Sequence, residues 1–230
     1  MINALLFDLY DTLAMIDAQA HFAVKAEMSS RVGAPPDKFL EVWKRYTPIC
    51  ALGDVLTLEE RVARVMRDLK LSPKPELVRE VASLEYKLQT KDVRLSENVV
   101  DSLEYFRASG IKLGLVTNAP SYMRGVPQIL GIERFFDAVI FSYTLGVLKP
   151  DPRIYLAACS SLQVKPYECM FIGDGNDREL DGAAELGMVA VRIGGGRDAK
   201  LRGVVSQTSD YFVDTVDELK EIVYDLRKPH

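Results

Sequence analysis

ALLFDLYDTLA, residues 4–14, opens with four apolar side chains and then sets two acids, Asp8 and Asp11, around Tyr10. Residues 2–7 (INALLF) read as a short buried strand, a compact apolar run that stops at an acid. Asp8 then stands at the carboxyl end of that strand. In an open parallel sheet, that is the end at which ligands bind. Whether the sheet is parallel depends on how the later strands are connected.

The hydrophobic period changes twice. Residues 17–47 space their apolar positions as helices do. TLEERVARVMRDL (57–69) begins at Thr57 with Glu60 three residues on, a capping-box spacing. KPELVREVASLEYKL (74–88) reads as another helix, so residues 14–93 are expected to be all-helical. After that, helices and strands alternate. Residues 96–110 read as a helix capped by Ser96 and closed by Gly110, and 111–118 (IKLGLVTN) as a strand. A weak helix interrupted by Pro127 is expected over 121–131, a strand over 136–142 and a helix over 151–163. Then come a strand over 168–174, a helix over 178–187, a strand over 188–194, and a short strand with a final helix over 211–227. The run Gly194–Gly196 reads as a turn. Apolar strands alternating with helices give an α/β fold with a Rossmann-like parallel sheet and helices on both faces. The expected division is a core of residues 1–13 and 94–230 and an inserted helical cap of residues 14–93.

Bulk properties narrow the function. The chain has 230 residues, 48% of them hydrophobic, which suits one domain or a domain plus an insert. Its net charge is -4 and it has no Lys/Arg stripe, which argues against a nucleic-acid partner. No apolar run reaches the roughly 18 residues of a membrane span, and no basic n-region or small-residue cleavage site marks a signal peptide. Cys50, Cys159 and Cys169 are odd in number and share no CxxC spacing. They read as small buried hydrophobes in a reducing cytoplasm, and a cytoplasmic location is expected. With His21 and His230 the only histidines, a Ser/His or Cys/His enzyme is a poor candidate.

Four strand ends, or the loops after them, carry polar groups: Asp8 after ALLF, Thr117-Asn118 in IKLGLVTN, Lys149 in LGVLKPDP, and Asp174 in GDGNDRELDGA. Each has an ordinary reading by itself. Asp8 suits a turn cap, Thr117-Asn118 a strand-end turn, Lys149 a solvated surface and Asp174 a turn. Together, in order, they compose a site. Mg²⁺ prefers carboxylate and carbonyl oxygens and keeps several waters. Lys149 and Thr117 supply donors for a phosphate, and a carboxylate can attack phosphorus to form an aspartyl-phosphate.

On these residues the chain resembles the haloacid dehalogenase-like hydrolase superfamily, in the form with a small helical cap inserted after the first strand. FDLYDTLA, LVTN, LKPDPRIY and IGDGNDRELDGA resemble its four motifs, in order, over nearly the whole chain. The resemblance implies Asp8 as nucleophile and Mg²⁺ ligand, with the Tyr10 carbonyl as a second ligand. It implies Thr117 and Asn118 holding the transferring phosphoryl group, Lys149 neutralising nucleophile and phosphate, and Asp174 on the metal. The family has a further acid four or five positions on. Glu179 keeps the family's spacing to Gly182-Ala183 and is preferred there to Asp177.

Tyr10 departs from the pattern of the family's phosphatases, which carry an Asp at that place to protonate the leaving oxygen. A free phenol titrates near about 10, against about 4 for Asp, so it is a poor base at neutral pH. The superfamily's dehalogenases have Tyr there and need no metal, but they have Ser in place of Asp174. The acid-rich fourth motif outweighs Tyr10. The resemblance therefore implies a Mg²⁺-dependent phosphatase of a small phosphorylated metabolite. A 2-haloacid dehalogenase, or a phosphate-binding module of low activity, is the alternative. In the cap, whose aromatic and basic residues include Phe22 and Tyr46, Phe39 and Trp43 read as core, while Lys44 and Arg45 face either a substrate anion or plain solvent. The expected partner is a small phosphate ester, with no nucleic acid and no membrane, in a monomer or homodimer.

Overall fold

The sheet buries alternate side chains on opposite faces, and that alternation builds two separate cores. In the computed structural model, which describes residues 1–194 and 206–228, the strands are β1 (Ala4–Phe7), β4 (Lys112–Thr117), β5 (Ala138–Phe141), β6 (Cys169–Gly173), β7 (Val189–Ile193) and β8 (Tyr211–Val213). They run parallel in the order β5-β4-β1-β6-β7-β8. β1 is central and all four of its residues are buried. Leu5, Phe7, Leu113, Leu115, Met170 and Ile172 face one core, with the helices α5 (Val99–Ala108) and α10 (Leu219–Arg227). Ala4, Leu6, Val116, Cys169 and Phe171 face the other, with α8 (Pro152–Leu162) and α9 (Glu179–Glu185). Burial on both faces is why these strands read as continuous apolar runs.

Between β1 and α5 the chain forms α1 (Ala18–Val32), α2 (Pro36–Leu52), α3 (Leu58–Asp68) and α4 (Pro75–Lys91). These helices share a core of their own, with Met28, Phe39, Trp43, Val62, Val65 and Val81 in it. Local signals set their ends. Asp17 caps α1 by accepting from the Ala20 amide at 2.9 Å, and Gly33 closes it at φ 75°. Thr57 accepts from the Glu60 amide at 3.1 Å. Glu60, however, reaches back to the Leu56 amide at 3.3 Å, one residue short of a reciprocal box.

The expectation that residues 14–93 are all-helical needs correction. β2 (Ala14–Ile16) and β3 (Val93–Leu95) pair antiparallel where the helices leave and rejoin the sheet. These runs are too short to reveal a period, and only the pairing of Ala14 with Leu95 and of Ile16 with Val93 makes them strands. Two smaller expectations also change. Asn98, at φ 58°, precedes α5, while the Ser96 amide donates to Leu13 O at 2.9 Å. Pro127 does not interrupt a helix; it occupies the first turn of a short one, α6 (Val126–Ile129), where a missing N–H costs nothing. A seventh, α7 (Ser142–Leu145), follows β5. Most of the Gly194–Gly196 turn, and His230, lie outside the described residues. Among the described residues no helix is long and apolar enough to cross a membrane.

Candidate active site

Strand register brings the polar residues to one place. Phe7 is level with Leu115 on one side and with Ile172 on the other. Asp8 is therefore one step past those partners, and Thr117 and Asp174 are two. All three stand at the carboxyl edge of the middle strands, and the loop after β5 adds Lys149.

Lys149 organises the cluster. Its ammonium donates to Asp8 Oδ1 and, at 2.6 Å, to Glu179 Oε2. Asp8, Lys149 and Glu179 are 8%, 4% and 2% exposed, so this pairing is sheltered from water. Burial lowers the ammonium's affinity for its proton, but the carboxylates of Asp8 and Glu179 outweigh it and raise Lys149 above an ordinary lysine. Asn118 fixes the lysine's backbone, accepting from the Lys149 amide at 2.9 Å and donating to its carbonyl at 3.4 Å. Its side chain is thus occupied, while Thr117 at the end of β4 is buried.

Glu179, expected among the metal's carboxylates, has one oxygen on the ammonium, and its other oxygen accepts from the Gly175 amide at 3.1 Å. Asp177 is exposed, at φ 55°. Tyr155 on α8 donates to the Glu179 carbonyl at 2.7 Å and anchors the first turn of α9. Gly173 leaves room for the glutamate: a Cβ there would lie 2.0 Å from Glu179 Oε1. Gly173→Ala is expected to push Glu179 off Lys149, at a cost of about 1–3 kcal/mol. A thermal melt should show the lower midpoint, and activity should fall with it. Gly182 has a similar task, since a Cβ would meet Pro150 O at 2.6 Å. Gly182 entered the sequence reading only as a spacing marker, and neither Gly173 nor Tyr155 stood out there. Their roles exist only once α9 and the Lys149 loop pack together.

Asp174 is half-buried and accepts from the Asn176 amide at 3.0 Å. Burial raises its carboxyl above the usual range, and the nearby charge of Asp8 raises it further. Glu179 is pushed up by burial too, and by both aspartates, more than Lys149 offsets. Two carboxylates therefore sit on one ammonium, and the Asp174 carboxyl is near enough for charge to act between it, Asp8 and Glu179. A divalent cation suits that surplus of negative charge, and Asp8, Asp174 and the Tyr10 carbonyl offer it hard oxygens. Among the described residues no three Asp, Glu, His or Cys side chains close into a ready cage. An ion that keeps several of its waters does not need one.

Tyr10 lies in the turn after β1, bridged to Ala14, beside Asp11 at φ 59°. Its hydroxyl is buried, with no hydrogen-bond partner among the described residues. Burial, Glu85 and Asp8 together raise the phenol far above its ordinary value. The helices contribute a buried Lys25–Glu85 ion pair and Arg61, which sequence spacing does not reveal, since 60 residues separate the pair. Phe39 and Trp43 stack at 5.7 Å inside the helical core, whereas Lys44 and Arg45 are exposed, with Arg45 on Glu41.

The sequence model of the family described as haloacid dehalogenase-like hydrolase matches residues 2–187. The chain is 30% identical to a glyceraldehyde 3-phosphate phosphatase of Methanopyrus kandleri, over 99% of this chain and all of that protein. Among solved structures it is similar to a HAD phosphatase from Thermococcus onnurineus (26% identity, TM-score 0.66, 96% of this chain and 98% of that one). A 2-haloacid dehalogenase from Pseudomonas syringae pv. Tomato shares the fold, with TM-score 0.73 at 22% identity over 98% of this chain and all of that one.

Proposed function

The chain belongs to the haloacid dehalogenase-like hydrolase family, and on that premise we propose that it is a phosphatase acting through Asp8. A carboxylate oxygen of Asp8 attacks phosphorus, the ester P–O bond breaks, and the leaving oxygen takes its electron pair and then a proton from water. Water next attacks the phosphorus of the aspartyl-phosphate, frees inorganic phosphate and restores Asp8. Lys149 holds Asp8 in line and balances charge on the phosphoryl oxygens, and Glu179 fixes the direction of Lys149. Thr117 donates to the phosphoryl group. Asp8, Asp174 and the Tyr10 carbonyl would hold Mg²⁺, which when bound supplies the positive charge that orients the phosphate. Residues 14–93 form a cap that closes over the site and excludes water.

The observation that carries this reading is the carboxyl of Asp174 beside that of Asp8, at the ends of adjacent strands. Carbon chemistry at Asp8 gives a second carboxylate beside it no task. The substrate is a small phosphorylated metabolite. The 30% identity to a glyceraldehyde 3-phosphate phosphatase makes glyceraldehyde 3-phosphate the first ester to try. Phosphate release from a panel of esters is expected to need Mg²⁺ and to stop in EDTA. Halide release from 2-haloacids in EDTA would favour the dehalogenase reading, for which Tyr10 is the supporting residue. Phosphate binding without turnover would favour a binding module.

A further inference from the structure

The loop that joins Asp174 to Glu179 is bent against the preferences of its residues. Gly175 (φ 89°), Asp177 (φ 55°) and Arg178 (φ 57°) all lie in the left-handed region, and only the first is a glycine. Other residues keep such angles only where their surroundings hold them there. α9 also starts without a cap of its own, since Arg178 has no side-chain acceptor for the amides of the first turn. The loop therefore depends on contacts from outside it.

Those contacts come from residues 206–208, which lead into β8. The Ser206 amide donates to Gly175 O at 2.7 Å. The Ser206 hydroxyl accepts from the Leu180 amide at 3.0 Å, the bond a capping side chain at position 178 would have made. Asp181 Oδ1 accepts from the Gln207 and Thr208 amides at 2.8 and 2.9 Å, and Asp181 Oδ2 accepts from Arg178 Nε at 2.9 Å. Ser206 and Asp181 are 7% and 6% exposed, so water competes little for these bonds. The bonds end beside the site. Gly175 follows Asp174, and its amide holds Glu179 Oε1. Leu180 and Asp181 follow Glu179.

We propose that Ser206 and Asp181 are positioning residues: they strap residues 174–181 so that Asp174 stands beside Asp8, ready for a divalent cation, while Glu179 stays on Lys149. This rests on the phosphatase reading and adds what sets the cation's affinity. A pair of carboxylates held in place beforehand need not be ordered by the ion. Without the strap, part of the binding free energy goes into ordering the loop, and affinity falls. Removing the outer partners of metal ligands typically weakens metal binding by about 10–100-fold.

The test follows Mg²⁺ binding to the full chain without substrate. The thermal midpoint is measured against Mg²⁺ concentration, because an ion that binds only the folded chain raises it. Phosphate release over the same concentrations gives a second half-saturation value. Asp181→Ala is expected to raise both half-saturating concentrations by about tenfold to a hundredfold. Ser206→Ala should raise them by about threefold to tenfold, the worth of one hydrogen bond. Asp181→Asn and Ser206→Thr keep the accepting oxygen and should restore most of the wild-type value. Ser206→Ala removes a single hydroxyl, and it carries the test alone if Asp181→Ala does not fold. A strap that is only structural would lower the midpoint in EDTA and leave both half-saturation values unchanged, which would overturn the proposal. A wild type whose midpoint ignores Mg²⁺ would overturn it too. If that wild type also releases no phosphate above an Asp8→Asn control, the phosphatase reading falls with it.

Discussion

Asp8→Asn is expected to lower phosphatase turnover by about 10⁴-fold or more while leaving the fold intact. A nucleophile works as a unit with its partners, so its removal costs nearly all of the catalysis they provide together. Asparagine has nearly the shape of aspartate and keeps an oxygen for Lys149. It also takes one negative charge out of a cluster where Asp8 and Glu179 share one ammonium with the Asp174 carboxyl nearby. The melting midpoint should therefore stay level or rise. A steady-state assay beside a thermal melt separates this from unfolding. An inactive variant with a lowered midpoint would mean that Asp8 is structural.

Lys149→Met is expected to damage both properties. The side chain is buried and bonds two buried carboxylates. Taking one partner from a buried ion pair leaves uncompensated charge, at a cost of about 3–5 kcal/mol. For a chain of this length, that is a fall of about 10 °C in the midpoint. The loss should depend on pH. The Glu179 carboxyl already holds its proton more tightly in the folded chain than an ordinary glutamate does. For such a group the folded state binds the extra proton, so stability falls as pH rises through its folded value. Without Lys149 that slope should steepen, making the deficit smaller near about pH 5 than near about pH 8. Denaturant titrations at the two values would show it. An equal deficit at both would mean that Lys149 does not hold down the proton affinity of Glu179.

The sheet was legible because its strands are buried on both faces and its helices carry amphipathic spacing and end signals such as Asp17, Thr57 and Gly33. The β2–β3 ribbon was not, because three-residue strands show no period and take their structure from each other. Asp8, Thr117, Lys149 and Asp174 could be placed from their positions at or after strand ends. The work of Glu179 could not. Spacing set it on the first turn of α9, but only the packing of that turn against the Lys149 loop puts its carboxylate on the ammonium. The polar groups around Lys25, Glu85 and Arg61 were hidden for the same reason. They come from three helices, and they meet only because those helices share a core.

The most direct test of the central claim is to catch the phosphoryl group on the chain. The protein would be mixed with a phosphate ester and Mg²⁺, quenched in acid within one turnover, digested and weighed by mass spectrometry. The account predicts one phosphoryl group on the peptide that contains Asp8, absent in EDTA and absent from Asp8→Asn. Inorganic phosphate released while that peptide stays unmodified, or a phosphoryl group found on another residue, would contradict it.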